Sequence, residues 1–183
     1  MKYTSEVFQR LSRGQFISAN SIQPEVRAIY NDIEDNEKEY ADYFSQIDFQ
    51  LESGDGYYYF ARSEQKVITE NKLRSLLVWI DYLDFLTSYD STFGPGSQFT
   101  LAQMEVRVGS DVELKDKLSS LFDDKPSTHD KLFALANAMV SQGFAELVSE
   151  EEGMYQVSNA FRYITHIIDC ININEEVKDE IPE

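Results

Sequence analysis

Residues Gln46–Ser63 read QIDFQLESGDGYYYFARS, and the fold turns on this stretch. Ile47, Phe49 and Leu51 alternate with polar neighbours, the period-2 pattern of a half-buried strand. Gly54-Asp55-Gly56 supplies a tight turn, because these residue types tolerate positive φ. Tyr57-Tyr58-Tyr59-Phe60 forms the returning strand, rich in rings that suit a pleated surface. A degraded copy comes later. It runs FAELV over Phe144–Val148, turns through Ser149–Gly153, and returns as MYQV over Met154–Val157.

Working outward, each hairpin follows helical segments and precedes another helix. Tyr3–Arg13 places Tyr3, Val7, Phe8 and Leu11 on one face, with Gly14 set to end it. Phe16-Ile17 reads as an extended link. Pro24 suits the first position of a helix carrying Val26, Ile29, Tyr30 and Ile33. A third helix over Glu37–Ser45 buries Tyr40, Tyr43 and Phe44. The longest helical candidate, residues 64–90, has a stripe of Leu73, Leu76, Leu77, Ile80 and Leu83, widened by Trp79, Tyr82, Phe85 and Leu86. A helix apolar around most of its girth packs on several sides. It reads as a core helix between two lobes or as a partner-binding face, and both readings can hold, on different sides.

The break Phe93-Gly94-Pro95-Gly96-Ser97 marks a boundary. Beyond it Thr100 and Gln103 read as a capping box. Further helices cover Asp111–Phe122 and the stretch after Ser127, which Gly143 closes. Ser158 or Asn159 caps a last one. The expected architecture is mainly α with small β-hairpins, an α+β chain of tandem winged-helix domains. Residues 1–92 would form the first, with its long helix, and residues 93–173 the second. Residues 174–183 would be an acidic tail.

Composition narrows the function. The 183 residues carry 33 Asp and Glu against 16 Lys and Arg, a formal charge of −17. Tight binding to phosphate backbones needs the opposite balance. A single cysteine, Cys170, rules out an internal disulfide and suits reducing cytoplasm. No signal-peptide core and no run of about 18 apolar residues is present, so no membrane span is expected. His129 and His166 are the only histidines. His129 reads as solvent-facing or capping, His166 as half-buried and structural. Neither these nor Cys170 makes a catalytic or metal-binding set, so no cofactor and no metal is expected. Gly54-Asp55-Gly56 lacks the lysine and following helix of a phosphate loop.

Two features remain. Lys115, Lys117, Lys125 and Lys131, and likewise Arg62, Lys66, Lys72 and Arg74, are sets that either touch DNA weakly within a larger complex or simply solubilise the surface. The surplus of rings at Tyr57–Phe60 cannot share one strand face. Either some face outward for peptide capture, by strand addition or packing, or a neighbouring helix covers them.

The stretches VFQRLSRGQFI (Val7–Ile17), LESGDGYYYFAR (Leu51–Arg62) and ENKLRSLLVWIDYLDFL (Glu70–Leu86) resemble the accessory subunits of bacterial condensins, the MukE and MksE type of kleisin-interacting tandem winged-helix proteins, with the MksE branch nearer. The resemblance implies a non-enzymatic, cytoplasmic, nucleoid-associated subunit. It would bind a kleisin, pair as a homodimer and serve an SMC-like ATPase in chromosome segregation or plasmid defence. On that reading Tyr57, Tyr59, Trp79 and Tyr82 are the partner-binding candidates. The rivals from the residues alone are a free-standing winged-helix transcriptional regulator and an acidic DNA mimic.

Overall fold

The computed structural model describes residues 1–61, 66–122 and 124–169, with residues 66–76 given by backbone alone. Expectations for Arg62, for the side chains of Lys66, Lys72, Leu73, Arg74 and Leu76, for Cys170 and for the tail lie outside the described residues. Those residues form an α+β chain of helices and two small antiparallel sheets.

The first half runs α1 (Thr4–Leu11), β1 (Ile17–Ser18), α2 (Pro24–Asp35), α3 (Glu37–Ser45), β2 (Gln50–Gly54) and β3 (Tyr57–Ala61). Pro24 starts α2 as expected, and Val26, Ile29, Tyr30 and Ile33 are buried on one face. Val7, Leu11, Tyr40 and Phe44 meet them in the first core. Two expectations fail at the end of α3. Tyr43 and Ile47 are 46% and 47% exposed. The chain does not yet run as a strand at Ile47, because α3 closes in a Schellman motif. Phe49 N–H reaches the Phe44 carbonyl, Asp48 N–H reaches Ser45, and Asp48 takes φ 62°. An aspartate tolerates that left-handed position, so β2 begins only at Gln50.

The second half runs α4 (Lys66–Tyr89), β4 (Gln98–Thr100), α5 (Leu101–Ser110), α6 (Val112–Leu121), α7 (Thr128–Ser141), β5 (Ala145–Ser149) and β6 (Met154–Val157). A helix over residues 161–169, α8, follows. Thr100, Asp111 and Ser127 each accept a backbone N–H with their side-chain oxygen and so cap α5, α6 and α7. Trp79, Tyr82, Phe85 and Leu86 of α4 are buried in the second core with Met104, Leu118, Leu135 and Phe161.

The sheets repeat one topology. A short strand before the helices pairs antiparallel with the second strand of the hairpin, giving the orders β1-β3-β2 and β4-β6-β5. The link at Phe16-Ile17 is thus partly a sheet strand, and β4 was not foreseen. β3 is consequently a central strand. Along Tyr57 and Tyr58 both edges are paired, so strand addition has no free edge there.

What covers the second face of β3 is the other half of the molecule. Tyr58 and Phe60 face the first core, whereas Tyr57 and Tyr59 face the second. Strand alternation therefore divides the four rings between two cores. The second face is met by Phe144 and Tyr163 through Phe16.

Candidate functional site

The seam between the halves is built around Phe16, which stands in the link between α1 and β1. Its ring meets Tyr57 at 5.7 Å, Tyr59 at 5.9 Å, Phe144 at 5.7 Å and Tyr163 at 5.2 Å between centroids. Tyr59 and Tyr163 close the cluster edge to face at 5.0 Å, the geometry that aromatic quadrupoles favour. Beneath them Trp79 meets Phe144 edge-on, also at 5.0 Å. A recess of about 410 Å³ opens here between Phe16, Tyr59, Trp79, Phe144 and Tyr163, with Arg13 and Gln142 on its rim. On the other side of Phe16 a smaller recess of about 310 Å³ lies between Ile22, Val26, Val140 and Leu147.

Polar contacts flank this apolar wedge. Asn20 donates its side-chain amide to the Val157 carbonyl at 3.0 Å and accepts from the Asn159 backbone at 2.7 Å. Its own carbonyl accepts from Gln156 Nε2 at 2.9 Å. Glu146 receives the Ser21 hydroxyl at 2.7 Å and the Ile22 N–H at 2.6 Å. A carboxylate from β5 thus sits at the entrance of α2, where the helix dipole favours negative charge. The tip of the first hairpin is docked as well. The Gly56 carbonyl accepts from Ala19 N–H and from Asn159 Nδ2, and Arg162 pairs with Asp55 at 3.1 Å. Among the described residues the buried polar side chains are Ser18, Ser21 and Ser158. All three belong to this seam.

The four aromatic candidates therefore separate. Tyr59 and Trp79 line one recess. Tyr57, 4% exposed, lies behind Phe16. Tyr82 turns away, stacking on Phe122 at 5.4 Å. Burial raises the phenol pKa of Tyr57, Tyr59 and Tyr82 above 10.0, so these rings stay neutral at physiological pH. The lysines lie elsewhere, on α6, α7 and the connector between them. Lys117 is held by Asp84 at 2.9 Å and Glu113 at 3.4 Å, Lys125 by Asp124, and Lys131 by the Ser119 carbonyl. Lys115 is exposed.

Sequence reasoning missed Phe16, Asn20, Glu146 and Arg162. Phe16 and Asn20 sit in an aperiodic link, where no amphipathic pattern singles them out. Asn159 was expected only as a cap. Of the histidines, His129 faces solvent against Glu105 and stacks on Phe133. His166 is exposed, contrary to the half-buried expectation, because α8 turns Ile164 and Ile168 inward instead.

The helices that precede the hairpins expose few basic side chains. The exposed positions of α3 include Glu37, Glu39 and Asp42, and the outer face of α7 is His129, Phe133, Asn137 and Val140. Among the described residues no group of three or more His, Cys, Asp or Glu is arranged to hold a metal ion. No helix there is long and apolar enough to cross a membrane.

Among curated proteins, none matches the chain. The family model described as condensin complex protein MksE matches residues 2–168, nearly the whole length that carries the two cores and the seam. The chain belongs to the MksE family of condensin complex proteins.

Proposed function

We propose that this chain is a non-enzymatic accessory subunit of an SMC-like condensin complex, made of two winged-helix units that bind an extended kleisin segment. The observation that carries the reading is the family match over residues 2–168. The order helix, strand, helices, hairpin, found twice with the same sheet order, supports the winged-helix assignment. Packing supports a division after Ala61, since the buried side chains described on α4, Trp79, Tyr82, Phe85 and Leu86, belong to the second core. The partner-binding residues are then Tyr59 and Trp79, with Tyr57 and Tyr82 as their backing. The recess they line has an aromatic floor and a polar rim, a form suited to an apolar side chain projecting from an extended backbone.

In this role the protein works by binding and gating, with the ATPase in its large partner. It pairs as a homodimer and acts in the cytoplasm at the nucleoid, in chromosome segregation or plasmid defence. DNA is touched weakly and only within the complex, through Lys115 and its neighbours Lys117, Lys125 and Lys131.

The test is titration of the purified chain with the kleisin subunit of the same complex. Wild type should bind, and Tyr59→Ala with Gln142→Glu should weaken binding at least about tenfold, or about 1.4 kcal/mol, while keeping a native far-UV spectrum. Full affinity in the folded double variant would remove the recess from the interface. No binding by wild type would remove the kleisin reading itself.

A further inference from the structure

Three segments fasten the two halves together, and each carries a groove ring within a few residues. Asn20 follows Phe16 by four positions, Gly56 precedes Tyr59 by three, and Asn159 precedes Tyr163 by four. These segments meet in one hydrogen-bonded knot. Asn20 uses both ends of its amide and its backbone carbonyl at once. The Asn159 side chain donates to Gly56 and accepts from Arg162 at 3.2 Å. Arg162 adds a contact to the Asp55 carbonyl. A carboxamide engaged at both ends fixes direction as well as distance, since its donor and acceptor cannot be exchanged without breaking both bonds.

The spacing of Phe16, Tyr59 and Tyr163 is thereby set from outside the groove. These rings come from three separate elements, and aromatic contact alone permits offset and tilted arrangements of similar energy. We infer that Asn20 and Asn159 are positioning residues: their knot holds the seam shut at the distance that gives the aromatic recess its shape, and loosening it opens the recess without touching any residue that lines it. A partner seated in the groove would then depend on this latch for the spacing of the rings. That consequence rests on the groove being the partner site, whereas the latch itself does not.

Trp79 is the only tryptophan and lines the recess, so it reports on the seam directly. Acrylamide quenching of the chain alone, without partner, is the measurement. Asn20→Ala and Asn159→Ala should each raise the quenching constant at least about twofold and shift emission to the red, with far-UV spectra unchanged. Ile33→Val, a conservative change in the first core, should leave quenching as in wild type. Unchanged quenching in either folded asparagine variant overturns the inference.

Should the variants fail to fold, hydrogen exchange on wild type decides. The Ala19 and Asn159 amides donate into the knot, to the Gly56 carbonyl and to Asn20 Oδ1. Under the inference they open together, with protection factors agreeing within about threefold. Protection differing by more than about threefold overturns it. Because no kleisin enters either experiment, a failure of the latch and a failure of the groove as a partner site are told apart.

Discussion

The two hairpins share a topology and differ in use. In the first, β3 is covered on both faces and the Asp55-Gly56 tip is docked on the start of α8. The second is bonded to the first half through Glu146 and Gln156 but leaves its tip exposed. Leu147 and Val148 on β5 are 41% and 38% exposed, and Glu150, Glu151 and Glu152 at its tip are exposed. Composition accounts for the difference. Four consecutive rings, Tyr57 to Phe60, can feed two cores, but MYQV offers only Tyr155, which stacks on Phe99 at 5.3 Å within its own sheet. One hairpin has become part of the frame. The other is anchored at its base, and its acidic tip is exposed.

If that contrast holds, truncation on either side should have unequal effects. Phe16→Ala removes the ring that joins β3 to the second half and leaves a hole among four aromatic neighbours. About 3 kcal/mol of stability should be lost, near the lower limit for a large core truncation because Phe16 is only half-buried. Leu147→Ala on the second hairpin should fall within about 0.5 kcal/mol of wild type. Urea unfolding of both variants measures the pair, and equal losses would erase the distinction.

A subtler probe makes the same substitution in both turns. Gly56 and Gly153 both take positive φ, 80° and 56°. A Cβ at Gly56 would lie 2.2 Å from the Asn159 side-chain nitrogen, whereas one at Gly153 meets nothing within 4 Å. Both alanines bear the strain of a left-handed residue, about 1–2 kcal/mol. Only Gly56→Ala must also displace Asn159 from its hydrogen bonds, adding about 1 kcal/mol. The difference between the variants should therefore be about 1 kcal/mol by denaturant midpoint, and Gly56→Ala alone should also increase acrylamide quenching of Trp79.

Much of the frame was readable before any coordinates, because it rests on local chemistry. Pro24, Thr100 and Ser127 announce helix starts through groups satisfied within three or four residues. Both turns are declared by their glycines. What could not be read depends on distant partners. Asn159 has the composition of a cap, yet its backbone N–H is taken by Asn20, 139 residues away in sequence. β1 and β4 are too short to show a period and exist because a hairpin strand lies beside them. Asp48 shows another limit: alternation from Ile47 to Leu51 fits a strand, but the helix ending won those first residues. As for the recess, surplus aromatics pointed to two of the rings that line it, Tyr59 and Trp79. The wedge itself, Phe16, carried no pattern to reveal it.

The smallest expected effect concerns protons on the two hairpins. Tyr58 donates its hydroxyl to Glu37 Oε2 at 3.1 Å. Burial first, and then the Glu37 charge, push its phenol far above 10.0. Tyr155 is raised by burial alone. For both, the native state keeps a proton that the unfolded chain releases near pH 10. Their stabilising contribution is thus complete below pH 10 and declines as pH rises toward the folded-state value. At pH 7 only the hydrogen bond separates them. Tyr58→Phe should lose about 1 kcal/mol there and Tyr155→Phe less than about 0.5 kcal/mol. Above pH 10 each phenylalanine variant should lose stability less steeply than wild type, since one group no longer has to stay protonated. Urea titrations at pH 7 and pH 10.5 read both effects. A Tyr58→Phe protein as stable as wild type at pH 7 would mean that the Glu37 contact contributes nothing, leaving the first hairpin held by its rings and its docked tip.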